Sequence, residues 1–474
     1  MPAPTGVEDA LAALPEAKRE LARRLLAARR PVPAAPAPRS GAGPVPAGGL
    51  QIRLWRRQPA HPAAATGSHA LRLHGPLDAD RLTAALAGVV ATHEALRLRL
   101  RPPTAAHGPA AHARPLLEPV TGPGPVPLRV DLSALPPGPA AEAMALHLAE
   151  SAAEALDPVT GRTIAFRLLR LAPDEHVLVL ASHLAVFDGW SSGVFLADLA
   201  TGYRAGPAAI PAPALQFPDH LDWQHRRLAS PEGAAELAAT RAAFAGDPPA
   251  RLAPGGFERG HLPVRLAPEA VRAGFALGAA EGVTPFMTLL AGLAVTLARR
   301  TGRPRAVIGV PTAGRFSGPL EGAVGQFSTV VPLGIDLTGR PDARTLLRRA
   351  RTAVAEALGR QRLPVDALWP DGTPPPYEVL FALHNYPEVP LDLPGITVGR
   401  LPGPPARHLE LYSPDPAAAL ACVGLVERDG EISGTAEYNR RAGTAEEVRG
   451  LLTGIEEVLA RAAADPTAPL YESS

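Results

Sequence analysis

The sequence predicts an α/β protein built as two lobes, and three observations carry that reading. Strand-like and helix-like segments alternate along the chain from about Leu50 onwards. At 474 residues the chain exceeds what a single hydrophobic core usually holds. The run "EHVLVLAS" (175–182) is apolar without alternation, as expected of a strand buried on both faces.

Composition bounds the function. Hydrophobic residues make up 46% and charged residues 20%, which fits a water-soluble globular chain. The 47 basic and 46 acidic residues give a net charge of +1, so no nucleic-acid or anionic-membrane partner is implied. Lys18 is the single lysine, and with the many Ala, Gly and Pro residues this looks like the codon bias of a GC-rich genome. Cys422 stands alone, which argues against a disulfide framework or a cysteine-based metal site, and no metal is expected. The start, "MPAPTGVEDALAALPEAKRE", has neither the basic nor the apolar part of a signal peptide. No apolar run reaches the roughly 20 residues of a membrane span, so a cytoplasmic protein is expected.

The elements follow in order. "PEAKRELARRLLAARR" (15–30) reads as a short helix with Pro15 in its first turn and Leu21, Leu25 and Ala28 on one stripe. A solvated, partly docked helix and a docking element for a partner are both open for it. "RRPVPAAPAPRSGAGPVPAGG" (29–49) reads as a Pro/Ala/Gly linker. Three segments are expected: helix and linker over 1–49, a first lobe over 50–225 and a second over 226–474.

"SHALRLHG" reads as a strand, and the helix after it places Leu82, Leu86, Val89, Val90 and His93 on one face. "ARPLLEPV" and "PVPLRVDL" read as strands, 139–155 as a helix, and "TIAFRLLRLAP" with "EHVLVLAS" as a hairpin. "SSGVFLADLATGYRAG" reads as a helix capped by Ser191 or Ser192. A polar connection and helix fill 217–245, after which a strand, a helix, a long apolar helix (284–301) and the strand "RAVIGVP" repeat the order in kind. Pro-rich stretches near 372–376 and 402–416 read as loops.

The chemistry centres on "LASHLAVFDGWSS" (180–192), where a strand runs into a histidine, a tight Asp-Gly and a helix start. His183 followed by Asp188-Gly189 is weak alone. Its neighbours strengthen it: "THEALRLRL" (92–100), "IGVPTAGR" (308–315), "LEGAVGQFSTVVPL" (320–333), "GRQRLPVDAL" (359–368), "LFALHN" (380–385) and "AEYNRR" (436–441) occur in order around it. This series resembles the condensation domains of nonribosomal peptide synthetases over essentially all of residues 50–465, and 15–30 looks like the helix that often leads into such domains.

The resemblance implies two chloramphenicol-acetyltransferase-like lobes set as a V-shaped pseudo-dimer around a central tunnel. A phosphopantetheine arm of a carrier protein enters from each side, and no cofactor is bound. The family motif has two adjacent histidines, then three residues, then Asp-Gly. Aligned on Asp188-Gly189, the first histidine is His183 and Leu184 replaces the second. In the family that second histidine faces the tunnel and deprotonates or positions the amine, which leucine cannot do. On an extended backbone His183 would point the other way, so a core role is favoured over a chemical one.

The resemblance also implies an architectural salt bridge from Asp188 to Arg315. Gly189 either leaves room for the pantetheine arm or serves turn geometry. Trp190 is read as packing before substrate contact. Asn385 matches a tunnel-lining position, His384 beside it is a stray base, and Ser328 with Thr329 replaces a Val-Asn pair. His93 is expected to be structural.

The expected activity is acyl transfer from a carrier-protein thioester to an amine on a free small molecule or a carrier-bound acceptor. A free-standing monomer working with carrier proteins in trans is expected, since no adenylation or carrier segment is visible after residue 470. The alternatives are a catalytically silent module recruiting a tailoring enzyme or carrier protein, a structural relic, and an acyltransferase using coenzyme A. Heterocyclisation would need a double-aspartate form of the motif, which is absent.

Overall fold

The computed structural model describes residues 35–59, 63, 65–103, 114–122, 124–370, 373–384, 390–402 and 408–471. The expected helix over 15–30 and Asn385 lie outside them. The first half contains β1 (Val45–Pro46), α1 (Gly49–Arg57), β2 (Thr66–His74), α2 (Ala79–Thr92), β3 (Leu98–Arg101) and β4 (Leu116–Pro119). It continues through β5 (Leu128–Asp131), α3 (Pro137–Ala152), β6 (Ile164–Ala172), β7 (Glu175–His183), α4 (Gly189–Ala205), α5 (Phe217–Ala229) and α6 (Pro231–Ala243).

The second half contains β8 (Arg259–Arg265), α7 (Pro268–Ala280), α8 (Pro285–Thr301), β9 (Arg305–Thr312), β10 (Thr329–Asp336) and α9 (Ala343–Gly359). After these come α10 (Val365–Leu368), β11 (Val379–His384), β12 (Thr397–Arg400), α11 (His408–Tyr412), β13 (Ala421–Arg428), β14 (Glu431–Asn439) and α12 (Ala445–Ala464). The stretch 402–416, expected to be loop, therefore holds a short helix.

Two mixed sheets organise the lobes. The first has the order β12-β2-β7-β6-β5. Leu71, Leu73, Phe166, Leu178 and Leu180 share a core with residues of α2 and α4 on one face. Ala70, Leu169, Val177 and Val179 form a smaller cluster with residues of α3 on the other. Strand β7 is thus covered on both sides, which is why its sequence does not alternate. Where helix meets sheet, Asp78 caps α2 by accepting from the backbone N–H of Asp80 and Arg81, an arrangement worth about 1 kcal/mol.

The second sheet has the order β10-β9-β11-β13-β14-β8, and its core packs with α7, α8, α9 and α12. Strand β12 crosses over to the first sheet, pairing Thr397 with His74 and Arg400 with Leu71. The expected boundary at 225/226 falls inside α5, so a continuous helix carries the chain across it.

The expected linker is corrected in part. Val45 and Ala47 are buried, and β1 pairs with β4 in a small third sheet, β1-β4-β3. Arg39 pairs with Glu94, and with Asp219 at 2.8 Å. The Pro/Gly-rich composition suits an irregular path, but its few apolar and charged side chains find buried partners at the junction of the lobes. The core there draws on Val45, Leu54, Leu98, Phe217, Leu320 and Phe327.

Candidate functional site

The site forms where β7 ends and α4 begins. His183 is the last residue of β7 and is fully buried. Its Nδ1 accepts the backbone N–H of Ala185 at 3.1 Å, and its Nε2 has no partner among the described residues. Burial pushes its imidazole down to about 4, so it is neutral near pH 7. The ring is committed to the core and away from solvent.

Leu184 takes the next position with its backbone N–H on the Ala65 carbonyl at 2.8 Å. Its half-buried side chain packs on the junction core. The Cδ2 methyl lies 3.7 Å from where a side-chain carbon on Gly67 would sit. Gln326, with its amide nitrogen turned inward, donates to the carbonyls of Leu184 and Phe187 at 2.9 and 3.0 Å.

Asp188 is the cap of α4, accepting from Ser191 N–H at 2.9 Å and Ser191 Oγ–H at 2.8 Å. The cap is therefore Asp188, three residues ahead of the expected Ser191, because a carboxylate there reaches the free N–H of the first turn. Across the junction Arg315 donates through Nη1 at 2.7 Å and Nη2 at 3.1 Å. Phe327 N–H and Ser328 N–H donate to the same carboxylate at 3.1 and 3.2 Å. Burial opposes its ionisation, but the Arg315 charge and the Ser191 donors prevail and hold the carboxyl below the usual carboxylate range.

Arg315 is fixed in turn. It donates to the Ala323 carbonyl at 3.1 Å and lies over the Phe327 ring at 4.4 Å. Gly314 before it has φ +67°, and a side-chain carbon there would meet the Phe327 carbonyl oxygen at 1.9 Å. Only glycine fits that approach.

The remaining residues divide. Gly189 is exposed at the first turn of α4. Trp190 donates to the Glu321 carbonyl at 2.9 Å and faces Arg315 at 5.6 Å, so its indole joins the lobes. The Ser328 hydroxyl lies 3.2 Å from Asp188, engaged by the carboxylate although the residue also borders a cleft. Thr329 opens β10 opposite Thr312. His384 ends β11, its ring 5.5 Å from that of His408 over the bare Cα of Gly424. Burial lowers His384, and burial with the neighbouring His384 and His261 pushes His408 to about 4. His93 bridges Asp198 at 2.7 Å and lies 3.4 Å from Val324 N–H, a structural placement.

One residue enters without a distinct sequence signal. His220 is buried against Trp223, Phe316 and Phe327, and burial with the Arg315 charge pushes it to about 3. It borders the same cleft as Gln326, Ser328, Arg53 and Asp366. The spacing of Phe217, His220 and Leu221 on α5 is the only hint, since the segment reads as polar. Among the described residues no group of three or more His, Cys, Asp or Glu is placed to hold a metal ion.

Comparison with known proteins places the chain in a family. A family model described as Condensation domain matches residues 45–388. The phosphinothricin tripeptide synthetase PhsC of Streptomyces viridochromogenes is 30% identical over 443 residues, covering 88% of this chain and 39% of that protein. The chondramide synthase cmdD of Chondromyces crocatus is 30% identical over 421 residues, covering 85% of this chain and 10% of that protein. The chain thus spans well under half of either relative. In fold it is similar to the X-domain in a complex of the X-domain and OxyB from teicoplanin biosynthesis, with a TM-score of 0.75, 23% identity, and 94% and 98% of the two chains covered. It is likewise similar to the condensation domain of the Monacolin K polyketide synthase MokA, with a TM-score of 0.73, 18% identity, and 90% and 100% covered.

Proposed function

Because the chain belongs to the condensation-domain family of nonribosomal peptide synthetases, we propose that it forms an amide bond between a carrier-bound acyl thioester and an amine. The observation that supports this is the intact Asp188 clamp: one buried carboxylate gathers the start of α4, Arg315 and the 327–328 backbone into a single rigid point beside Leu184. The amine nitrogen attacks the thioester carbonyl, the C–S bond breaks, and the nitrogen's proton leaves to solvent or to the departing thiolate. The substrates arrive on phosphopantetheine arms of carrier proteins, the protein itself holds no cofactor, and it works as a monomer in the cytoplasm.

Leu184 stands where the family's second histidine would be, and His183 is turned into the core. Catalysis therefore rests on alignment. Positioning two reactants supplies roughly 7–11 kcal/mol of a barrier, whereas a general base adds about 10²–10⁴-fold. An α-amino group with a pKa of about 8 is partly neutral without help.

Leu184 also favours a second reading, a catalytically silent module that recruits a tailoring enzyme to a carrier-bound chain. The experiment is to incubate the purified protein with acyl-loaded donor carrier and amine-loaded acceptor carrier and to read intact masses. Transfer of the acyl group supports the first reading. Stable loaded carriers with no transfer support the second.

A further inference from the structure

We propose that His220 is a further catalytic residue, whose Nε2–H donates to the thioester carbonyl oxygen and holds the charge that develops there. This rests on the acyl-transfer reading for the reaction, while the contact itself follows from the cleft.

The cleft lies against the Leu184 turn. Gln51 and Gln326 both line it, and they donate to the carbonyls of Ala185 and Leu184 at 3.0 and 2.9 Å. Ser328, engaged by Asp188, forms another part of the wall. The space encloses about 40 Å³, and one water takes about 10–15 Å³. About three heavy atoms fit, the number in the sulfur, carbon and oxygen of a thioester.

The His220 ring is part of the same wall. It packs among Phe327, Trp223 and Phe316, with ring centroids at 5.2, 5.9 and 5.9 Å. A phenylalanine would fill that box without burying a polar atom. Here Nδ1 is enclosed with no partner among the described residues, at a penalty of about 1–3 kcal/mol. The penalty is offset when the other nitrogen, on the cleft side, gains a partner there.

The position of the proton follows from the surroundings. Burial, the Arg315 charge and His225 keep the ring neutral, pushed down to about 3, so it carries a single N–H. An enclosed donor without an acceptor is tolerated less than an enclosed lone pair, which puts that proton on Nε2. A neutral imidazole of this kind polarises a carbonyl without giving up its proton. Because packing fixes the donor beforehand, it favours the developing oxyanion over the resting carbonyl.

The step balances. The amine nitrogen bonds to the carbonyl carbon, the C=O electron pair moves onto oxygen, and Nε2–H donates to that oxyanion. The pair then returns, the C–S bond breaks, and the departing thiolate takes the proton that the nitrogen releases. His220 ends as it began.

The test uses the full chain with S-butanoyl pantetheine and its thioether analogue S-butyl pantetheine, which lacks the carbonyl. Binding is read by calorimetry. Replacing the donor in His220→Phe should lower the thioester-to-thioether affinity ratio about fivefold. His220→Gln, whose amide can still donate, should restore part of that ratio and serves if the phenylalanine variant does not fold. With loaded carriers, His220→Phe should lower kcat by about 10²–10³-fold and leave KM for the acceptor unchanged. The rate profile from about pH 6 to 9 should keep its shape, since the ring holds its proton throughout. An unchanged affinity ratio, no binding of either probe by the wild type, or loss of a pH limb, which would make His220 a base, would each overturn the proposal. Binding needs no acceptor, so the two readings separate. A ratio that falls in a protein without acyl transfer upholds the His220 contact and removes the catalytic reading. Transfer with ratio and kcat intact in His220→Phe removes the role of His220 alone.

Discussion

Arg315 holds Asp188 through both of its terminal nitrogens, at 2.7 and 3.1 Å, and neither side chain reaches solvent. The two residues lie 127 positions apart, and each is tied further into its own surroundings, Asp188 to the first turn of α4 and Arg315 to the Ala323 carbonyl. Such a pair is weak as a source of net stability, because taking both charges out of water offsets their attraction. Breaking it is another matter.

Removing one partner leaves the other an unpaired buried charge. Arg315→Ala should therefore destabilise the protein by about 3–5 kcal/mol, read as a fall in melting temperature. Arg315→Lys should recover only part of the loss, since an ammonium cannot match the forked contact to the carboxylate. If Arg315→Ala melts like the wild type yet loses acyl transfer, Asp188 and Arg315 serve chemistry and the architectural assignment fails.

A second prediction concerns acid. The folded pKa values of His183 and His220 are lowered to about 4 and about 3, against an unfolded value near 6.5. The unfolded chain therefore binds more protons than the folded one as pH falls below 6.5. The stability these residues contribute is complete above that value and is lost on the way down, to about 4 for His183 and about 3 for His220. Asp188 acts lower: its depressed carboxyl stabilises the fold above about 3.9 and loses that effect as pH falls through its folded value. Denaturant melts across pH 4–7 should show the loss. His220→Phe, which replaces a ring whose Nδ1 has no partner among the described residues and which packs on Trp223, Phe316 and Phe327, should flatten the slope by about 1.4 kcal/mol per pH unit. An unchanged slope would show that His220 is not neutral in the fold.

The third prediction corrects the sequence. Residues 29–49 read as a linker, yet Val45 and Ala47 are buried and Arg39 neutralises two largely buried carboxylates, Glu94 and Asp219. Deleting residues 1–47 should lower the melting temperature clearly, and Arg39→Ala alone should cost about 2–3 kcal/mol. A truncated chain melting with the full one would restore the linker reading.

What was legible follows from the range of each interaction. The double burial of β7 is written in its own unbroken apolar run, and the hairpin with β6 in two adjacent segments. The pairing of Asp188 with Arg315 has no local signature and was reachable only through a family resemblance that orders distant motifs. Strand β12 was missed because "TVGR" is four residues, largely exposed, and takes its place from β2 across the fold. His220 hid on a helix that reads as polar from "DHLDWQHRR", although its first turns, Phe217 to Leu221 and then Trp223, are buried. The short strand at Val45 was masked by its prolines and glycines, whose local preference the tertiary contacts override.

The last prediction concerns Leu184. Its side chain is half-buried against the junction core, and its neighbour His183 cannot turn toward the cleft without giving up the Ala185 contact. Leu184→His would place an imidazole at the position that the family's second histidine occupies. If acyl transfer is limited by removal of the amine proton, this variant should be faster by about 10²–10⁴-fold. Leu184→Ala should change the rate little in that case, since it supplies no base. If leucine instead shapes the apolar path for the acyl chain, both variants should be slower, and octanoyl donors should suffer more than butanoyl ones. Rates for wild type, Leu184→His and Leu184→Ala on the same loaded carriers separate these outcomes. Equal inactivity of all three, with carriers shown by mass to be loaded, would remove the acyltransferase reading and leave recruitment as the function of the fold.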